Sequence, residues 1–354
     1  MFQPPRCPYR DCPRFARPGE RFYNRRGSYR AKCRPHPIPR FVCKTCERTF
    51  SRQTFRMDRG DHRPDLNAQL FRLLASGIGL RQSARMLGLS RRCTELKARK
   101  IGEHLCQLDL NLCGLLPEGC ELALDELETY EGRRNTRPVT VPLLLETESH
   151  YVVWAESATI RPNGKMSEAR LAAIAQDEAR YGPRRNLSRW AILRTLRRGA
   201  ALTRHLEHVR LVTDEKTIYP ALASEVFGAG RLEHRTVNSQ VARMTWNPLF
   251  PINHTEAVMR DLMGRLRRES WLVSKDRRYL DLALHVFIAY RNWIRYRFNG
   301  EDFSAGQMLG FVTRRLTFGE ALSWRQDAGE RSIHPLSRKA ESVADWKAAH
   351  QVRS

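Results

Sequence analysis

The sequence predicts a multidomain α+β protein: a small cysteine-rich module, then a helix-turn-helix region, then an α/β domain carrying a helical insertion. Three observations predict it. Two close cysteine pairs, Cys7/Cys12 and Cys43/Cys46, bracket an Arg- and Pro-rich start. A helical stretch from about Pro64 to Leu112 has a glycine, Gly88, between two apolar-periodic runs. After Pro117-Glu-Gly119 the pattern changes to short apolar runs of strand length.

Residues 1–60 read as a loop-rich module with short strands such as Arg40–Cys43. Thirty residues separate Cys12 from Cys43. Two close pairs across a loop suit a tetrahedral four-thiolate zinc site, and so small a module needs such a staple. Cys33 and His36 lie between the pairs as alternatives for one ligand. Nine cysteines is an odd number, which argues against a disulfide framework. Cys106, Cys113 and Cys120 read as buried small hydrophobes.

Residues 61–116 carry Gly79–Thr94, in which Ala84 and Leu87 face a core, Gly88 makes a tight turn and Ser90 caps the next helix. That pattern is helix-turn-helix grammar. The second helix is expected to offer Arg91, Arg92, Thr94, Lys97 and Arg99 to DNA.

Residues 117–300 hold three strand candidates, Glu121–Thr129, Val139–Glu146 and Tyr151–Ile160, joined by connections short enough for hairpins. A mostly helical insertion over about 161–207 breaks at Tyr181-Gly-Pro183. Then come a buried strand (Val209–Thr213), a helix (Ile218–Phe227), a short strand (Glu233–Asn238) and a helix starting at Asn253. Three antiparallel strands followed by strand, helix, strand and helix is the order of an RNase H-like sheet. Leu280, Leu284, Phe287 and Ile288 mark one more amphipathic helix. Residues 301–354 read as an extension, partly flexible.

The composition points to the partner. The chain has 354 residues, 62 basic against 38 acidic, a net charge of +24 and a pI near 10.4. Residues 1–60 alone hold 16 basic against four acidic residues, half of that excess. Such a balance implies a polyanion, and nucleic acid is the usual one. No apolar stretch approaches the ~20 residues that span a bilayer, and no signal peptide is visible, so a soluble cytoplasmic protein without a membrane partner is expected.

Three carboxylates carry the chemistry. Asp125 closes the apolar run from Glu121, Asp214 closes Val209–Asp214, and Glu256 sits near the start of the Asn253 helix. Carboxylates at strand ends and early in a helix are rigidly aimed, and three that converge can hold two divalent cations for phosphoryl transfer. Intervals of 88 and 41 residues leave room for the intervening elements. Glu126 and Glu128 crowd Asp125, but alternation sends Glu126 to the opposite sheet face. Glu215 is a weaker substitute for Asp214. For Glu256 the rival reading is a capping box with Asn253. Arg260, Arg265, Arg267, Arg268, Lys275, Arg277 and Arg278 form a basic run that either is solvated or holds a phosphodiester backbone. His254 is a weaker candidate for touching a phosphate, and Trp271 reads as core sooner than as a base-stacking platform.

Taken together, the chain resembles bacterial insertion-sequence transposases of the DDE type with an N-terminal zinc ribbon and helix-turn-helix. The resemblance is carried by Cys7-Pro-x-x-x-Cys12, Phe41-x-Cys-x-x-Cys-x-x-Thr-Phe50, Gly79–Ser90, Leu124-Asp125-Glu126, Val212-Thr-Asp214 and Asn253-His-Thr-Glu256, and covers about residues 5–300. It implies Mg²⁺ (or Mn²⁺) held by Asp125, Asp214 and Glu256. It also implies zinc on Cys7, Cys12, Cys43 and Cys46, and recognition of inverted-repeat ends and target DNA by Arg91, Arg92, Thr94, Lys97, Arg265 and Arg268. A homodimer or higher oligomer on DNA, associated with the bacterial nucleoid, follows from the need to pair two ends. The long second interval and the large insertion depart from the simplest pattern. The competing expectations are a non-catalytic DNA-binding regulator and a structure-specific nuclease.

Overall fold

A computed structural model of the protein describes residues 2–238, 240–242, 244–267 and 271–324. The N-terminal part has a short helix α1 (Pro13–Ala16) and three antiparallel strands, β1 (Tyr23–Tyr29), β2 (Ile38–Cys43) and β3 (Thr49–Ser51). Its core gathers the aromatics Phe22, Phe41, Phe50 and Phe55 with Cys7, Cys12 and Cys43.

Helices α2 (Asn67–Ala75), α3 (Leu80–Leu87) and α4 (Arg91–Leu112) follow. Gly88 ends α3 in the left-handed region at φ 62°, which glycine adopts without a Cβ penalty. Ser90 then caps α4 by accepting from the Cys93 amide at 3.2 Å. The turn chemistry expected of the sequence is therefore present.

The second sheet runs β6-β5-β4-β8-β9, with β7 also on β5. Its strands are β4 (Glu121–Tyr130), β5 (Pro138–Glu146), β6 (Val152–Ala155), β7 (Ala158–Thr159), β8 (Val209–Asp214) and β9 (Leu232–Val237). β4, β5 and β6 pair antiparallel, whereas β8 lies parallel to both β4 and β9. The single strand expected over Tyr151–Ile160 is broken, because Asp281 captures the Ser157 amide and hydroxyl at 2.7 and 2.6 Å and removes them from the ladder.

Strand alternation sorts the sheet into two faces. Leu122, Leu124, Leu144 and Leu211 share one core with α6 (Ser188–Leu202) and α7 (Tyr219–Phe227). Ala123, Leu127, Leu143 and Val212 share the other with α8 (Phe250–Leu262) and α9 (Arg277–Ala289). Gly199 allows α6 to lie against the strands, since a Cβ there would stand 2.6 Å from Leu144. So α6, placed in the insertion by sequence, is part of the sheet's own covering layer. Only α5 (Glu168–Tyr181) remains as a largely exposed addition.

The first core does not stop at residue 116. Leu70, Phe71, Ile101, Leu105 and Leu108 of α2 and α4 join Leu122 and Leu124 of β4 in it. Gly102 lets α4 cross α9 closely, with Leu282 only 2.9 Å from where a Cβ would be. The short helices α10 (Ala305–Met308) and α11 (Phe318–Ser323) add Ala305, Ala321 and Leu322 to the same core. The first part of the expected C-terminal extension, residues 301–324, is thus packed onto the body. Positions 325–354 lie outside the described residues. Among the described residues, no helix is long and apolar enough to cross a membrane.

Candidate metal centre and carboxylate site

Local turns build the thiolate cluster. The Glu47 amide donates to the Cys43 carbonyl at 2.9 Å, and Glu47 takes φ 55°, bending the chain so that Cys46 faces back. At the other end the Cys12 amide donates to the Tyr9 carbonyl at 3.0 Å. The sulfurs of Cys7 and Cys46 stand 3.7 Å apart, and those of Cys12 and Cys43 stand 3.8 Å apart. A tetrahedron with zinc–sulfur bonds of about 2.3 Å has edges of about 3.8 Å, so the spacing fits the ion. Burial would raise the Cys46 thiol, but hydrogen bonds from the Arg48 backbone and side chain outweigh it and bring it to about 7. Cys33 is no longer an alternative ligand, because its thiol donates to the Asp61 carbonyl at 3.3 Å. His36 is exposed and stands outside the cluster.

The carboxylates occupy one layer. In the parallel β4/β8 pair, Leu124 stands opposite Thr213, so the next residues, Asp125 and Asp214, are side by side. Alternation places both on the face of Ala123 and Val212, which is the face α8 covers. On α8, Glu256 belongs to the buried stripe with Ile252 and Met259 and is 6% exposed. Its Oε2 is 3.5 Å from Arg260 Nη2, one turn on. The capping-box reading is corrected. α8 begins at Phe250, with Pro251 tolerated in its first turn, and Asn253 Nδ2 donates to the Leu249 carbonyl at 2.8 Å. Glu256 is accordingly in the second turn, not the first.

The three carboxylates share a layer without being drawn tight. Among the described residues, the four cysteines are the one set of three or more potential ligands whose donor atoms lie mutually within 4.8 Å. The Asp125 carboxylate accepts from the Glu126 amide at 2.7 Å, and that of Asp214 accepts from the Lys216 amide at 3.1 Å.

Glu126 turns to the other face, as alternation requires. It accepts from Thr140 and Ser188 at 2.8 Å each, from Tyr219 at 3.0 Å, and pairs with Lys216. Burial alone would raise this carboxyl, but Lys216 chiefly, with Thr140 and Ser188, holds it below the usual range. The Tyr219 hydroxyl is pushed up by burial first, then by the charges of Glu126, Asp125 and Asp214. Sequence reasoning treated Glu126 only as a rival to Asp125 and missed this network. Its polar partners come from three separate segments.

The residues expected to face DNA do not all reach the surface. Arg91 and Arg92 are exposed at the start of α4, as is Arg99 farther along. Thr94 and Lys97 are not available, because with Ile101, Leu105 and Leu108 they form the buried stripe of the helix. Thr94 donates to the Ser90 carbonyl at 3.0 Å. Lys97 is 3% exposed and donates to Asp61, the Arg63 carbonyl and Asn67 at 3.0, 2.9 and 2.8 Å. Arg265 lies beyond the end of α8, partly buried, and donates to Ser274 at 2.9 Å, so it does not extend a basic helical face. Arg268 lies outside the described residues. Trp271 is fully exposed, against the expectation that it is core.

No protein-family model matches the chain, and comparison with curated proteins finds no match.

Proposed function

We propose that this chain is a DDE-type DNA transposase, in which a zinc ribbon and a helix-turn-helix bring DNA ends to an RNase H-like domain that cuts and joins strands. One observation carries the reading. Asp125 and Asp214 are neighbours on parallel central strands, on the face covered by the helix that holds Glu256. Three antiparallel strands followed by two parallel ones, in the order β6-β5-β4-β8-β9, is the arrangement an RNase H-like domain requires. The surplus of 24 positive charges supports a nucleic-acid partner.

Two Mg²⁺ or Mn²⁺ ions, when bound, would activate the attacking oxygen and stabilise the leaving one. Asp125 and Asp214 offer oxygens from a rigid base, since each strand is fixed by its ladder. Glu256 must release Arg260 and approach them. Exposed Arg91 and Arg92 would grip phosphates, and pairing of two ends would need at least a dimer.

The test incubates full-length protein with Mg²⁺ and labelled DNA carrying the flanking inverted repeats, beside an Asp214→Asn variant. End-specific nicking and strand joining that vanish in the variant are expected. Specific binding without cleavage in Mg²⁺ or Mn²⁺ would replace this reading with that of a DNA-binding regulator. In that protein Arg260 would simply neutralise Glu256. Cutting without joining would indicate a nuclease.

A further inference from the structure

A second polar cluster forms where the early turns of α8 meet the β5–β6 connection and the segment after α9. Arg291 is 1% exposed. Its Nη1 donates to the carbonyls of Tyr296 and Arg297 at 3.2 and 2.8 Å. The other edge of the guanidinium, Nε with Nη2, is buried and meets no acceptor among the described residues. That edge can grip an oxyanion through two parallel, charge-assisted hydrogen bonds. Arg295 and Arg297 add charge of the same sign nearby, while Glu301 is already held by Arg297 at 2.9 Å.

Two imidazoles complete the cluster. The rings of His150 and His254 are 5.5 Å apart, and both pack on Phe298. Nδ1 of each is buried with no partner among the described residues. The Arg291 charge reaches both rings. His150 is 4% exposed, whereas His254 is partly exposed and marks the open side. A buried cation lacking a counter-ion is costly, and a water molecule satisfies an N–H without neutralising charge.

We propose that Arg291, His150 and His254 form a binding site for an oxyanion of the phosphate class, entered beside His254. The Arg291 fork takes two oxygens, and each neutral imidazole donates from Nδ1. Free phosphate and a nucleic-acid backbone phosphate present the same chemistry. The site uses none of Asp125, Asp214 and Glu256, so it stands whether or not they hold metal.

Calorimetric titration of the zinc-loaded full chain with sodium phosphate, at constant ionic strength, tests it. Saturable binding of one phosphate per chain is expected. Arg291→Lys keeps the charge and loses the fork, and His254→Gln alters a partly exposed position that threatens folding less. Each should weaken the Kd at least tenfold. A DNA duplex displaced by phosphate from the wild type, but not from the variants, would identify the occupant as a backbone phosphate. Phosphate binding without effect on DNA would identify free anion. No saturable binding by the wild type, or an unchanged Kd in folded His254→Gln, would overturn the proposal.

Discussion

Lys97 separates two readings of α4, and Lys97→Met decides between them. The ammonium makes three hydrogen bonds, to Asp61, the Arg63 carbonyl and Asn67. Methionine retains most of the stem but strips a donor from each acceptor. Asp61 keeps Lys100 at 2.7 Å and the Asn67 amide at 3.0 Å, so its charge stays partnered. The loss should therefore fall short of the 3–5 kcal/mol typical of stranding a buried charge, and about 2–3 kcal/mol is expected. Asp61→Ala leaves the buried Lys97 ammonium without its carboxylate and should cost about 3–5 kcal/mol. The Asp61 carboxyl would be raised by burial, but Lys100, Asn67 and Lys97 outweigh this and hold it below 3.8. A depressed carboxylate stabilises the fold above its unfolded value, and that contribution disappears as pH falls below about 3.8. Urea unfolding gives the stabilities, and fluorescence anisotropy against salt gives the DNA slope. Lys97→Met should leave the slope unchanged. Arg92→Ala should leave stability near wild type and reduce the slope by about 0.9, the value of one phosphate contact. Wild-type stability with a reduced slope in Lys97→Met would refute the buried assignment.

Three other outcomes follow from the same structure. Chelation of a metal held by Cys7, Cys12, Cys43 and Cys46, or Cys12→Ser, should open residues 2–60 to hydrogen exchange while β4, β5 and β8 stay protected; unchanged protection over residues 2–60 would dismiss a structural metal. Buried His104, whose Nε2 meets the Ala321 carbonyl at 2.8 Å, is pulled down to about 4, chiefly by burial. The unfolded chain takes up its proton near 6.5, so stability should drain as pH falls from about 6.5 to 4, and His104→Gln should flatten that part of the stability–pH curve. Gly102→Val places a methyl-bearing Cβ 2.9 Å from Leu282 and should lower stability by about 1–3 kcal/mol in denaturant melts.

The strands were legible as short apolar runs between turn residues, and their side chains alternate between the two cores, Leu122, Leu124 and Leu144 in one and Ala123 and Leu143 in the other. The same alternation correctly separated Asp125 from Glu126. The two cysteine pairs were legible from spacing, but Cys33 and His36 remained rivals for one place until the fold set them apart. The inner face of α4 was not, since Thr94 and Lys97 look solvent-facing until Asp61 and Asn67 arrive from outside the helix. The start of α8 was misplaced because a proline suggests a loop, yet in a first helical turn it forfeits no hydrogen bond. Arg291, His150 and His254 come from three distant segments and leave no local pattern.

α4 has 22 residues and therefore measures about 33 Å from end to end. Exposed Arg91 and Arg92 stand at one end, while near the other Asp109 is locked to Asn292 and Trp293 at 3.3 and 2.9 Å. The helix is a ruler whose zero mark is fixed in the hydrophobic interior. A duplex gripped at its tip would stand at a set offset from that anchor, about 27 Å or roughly eight base pairs of B-form DNA at about 3.4 Å each. Changing that offset would mean sliding α4 over α9, where Gly102 and Leu282 leave no slack.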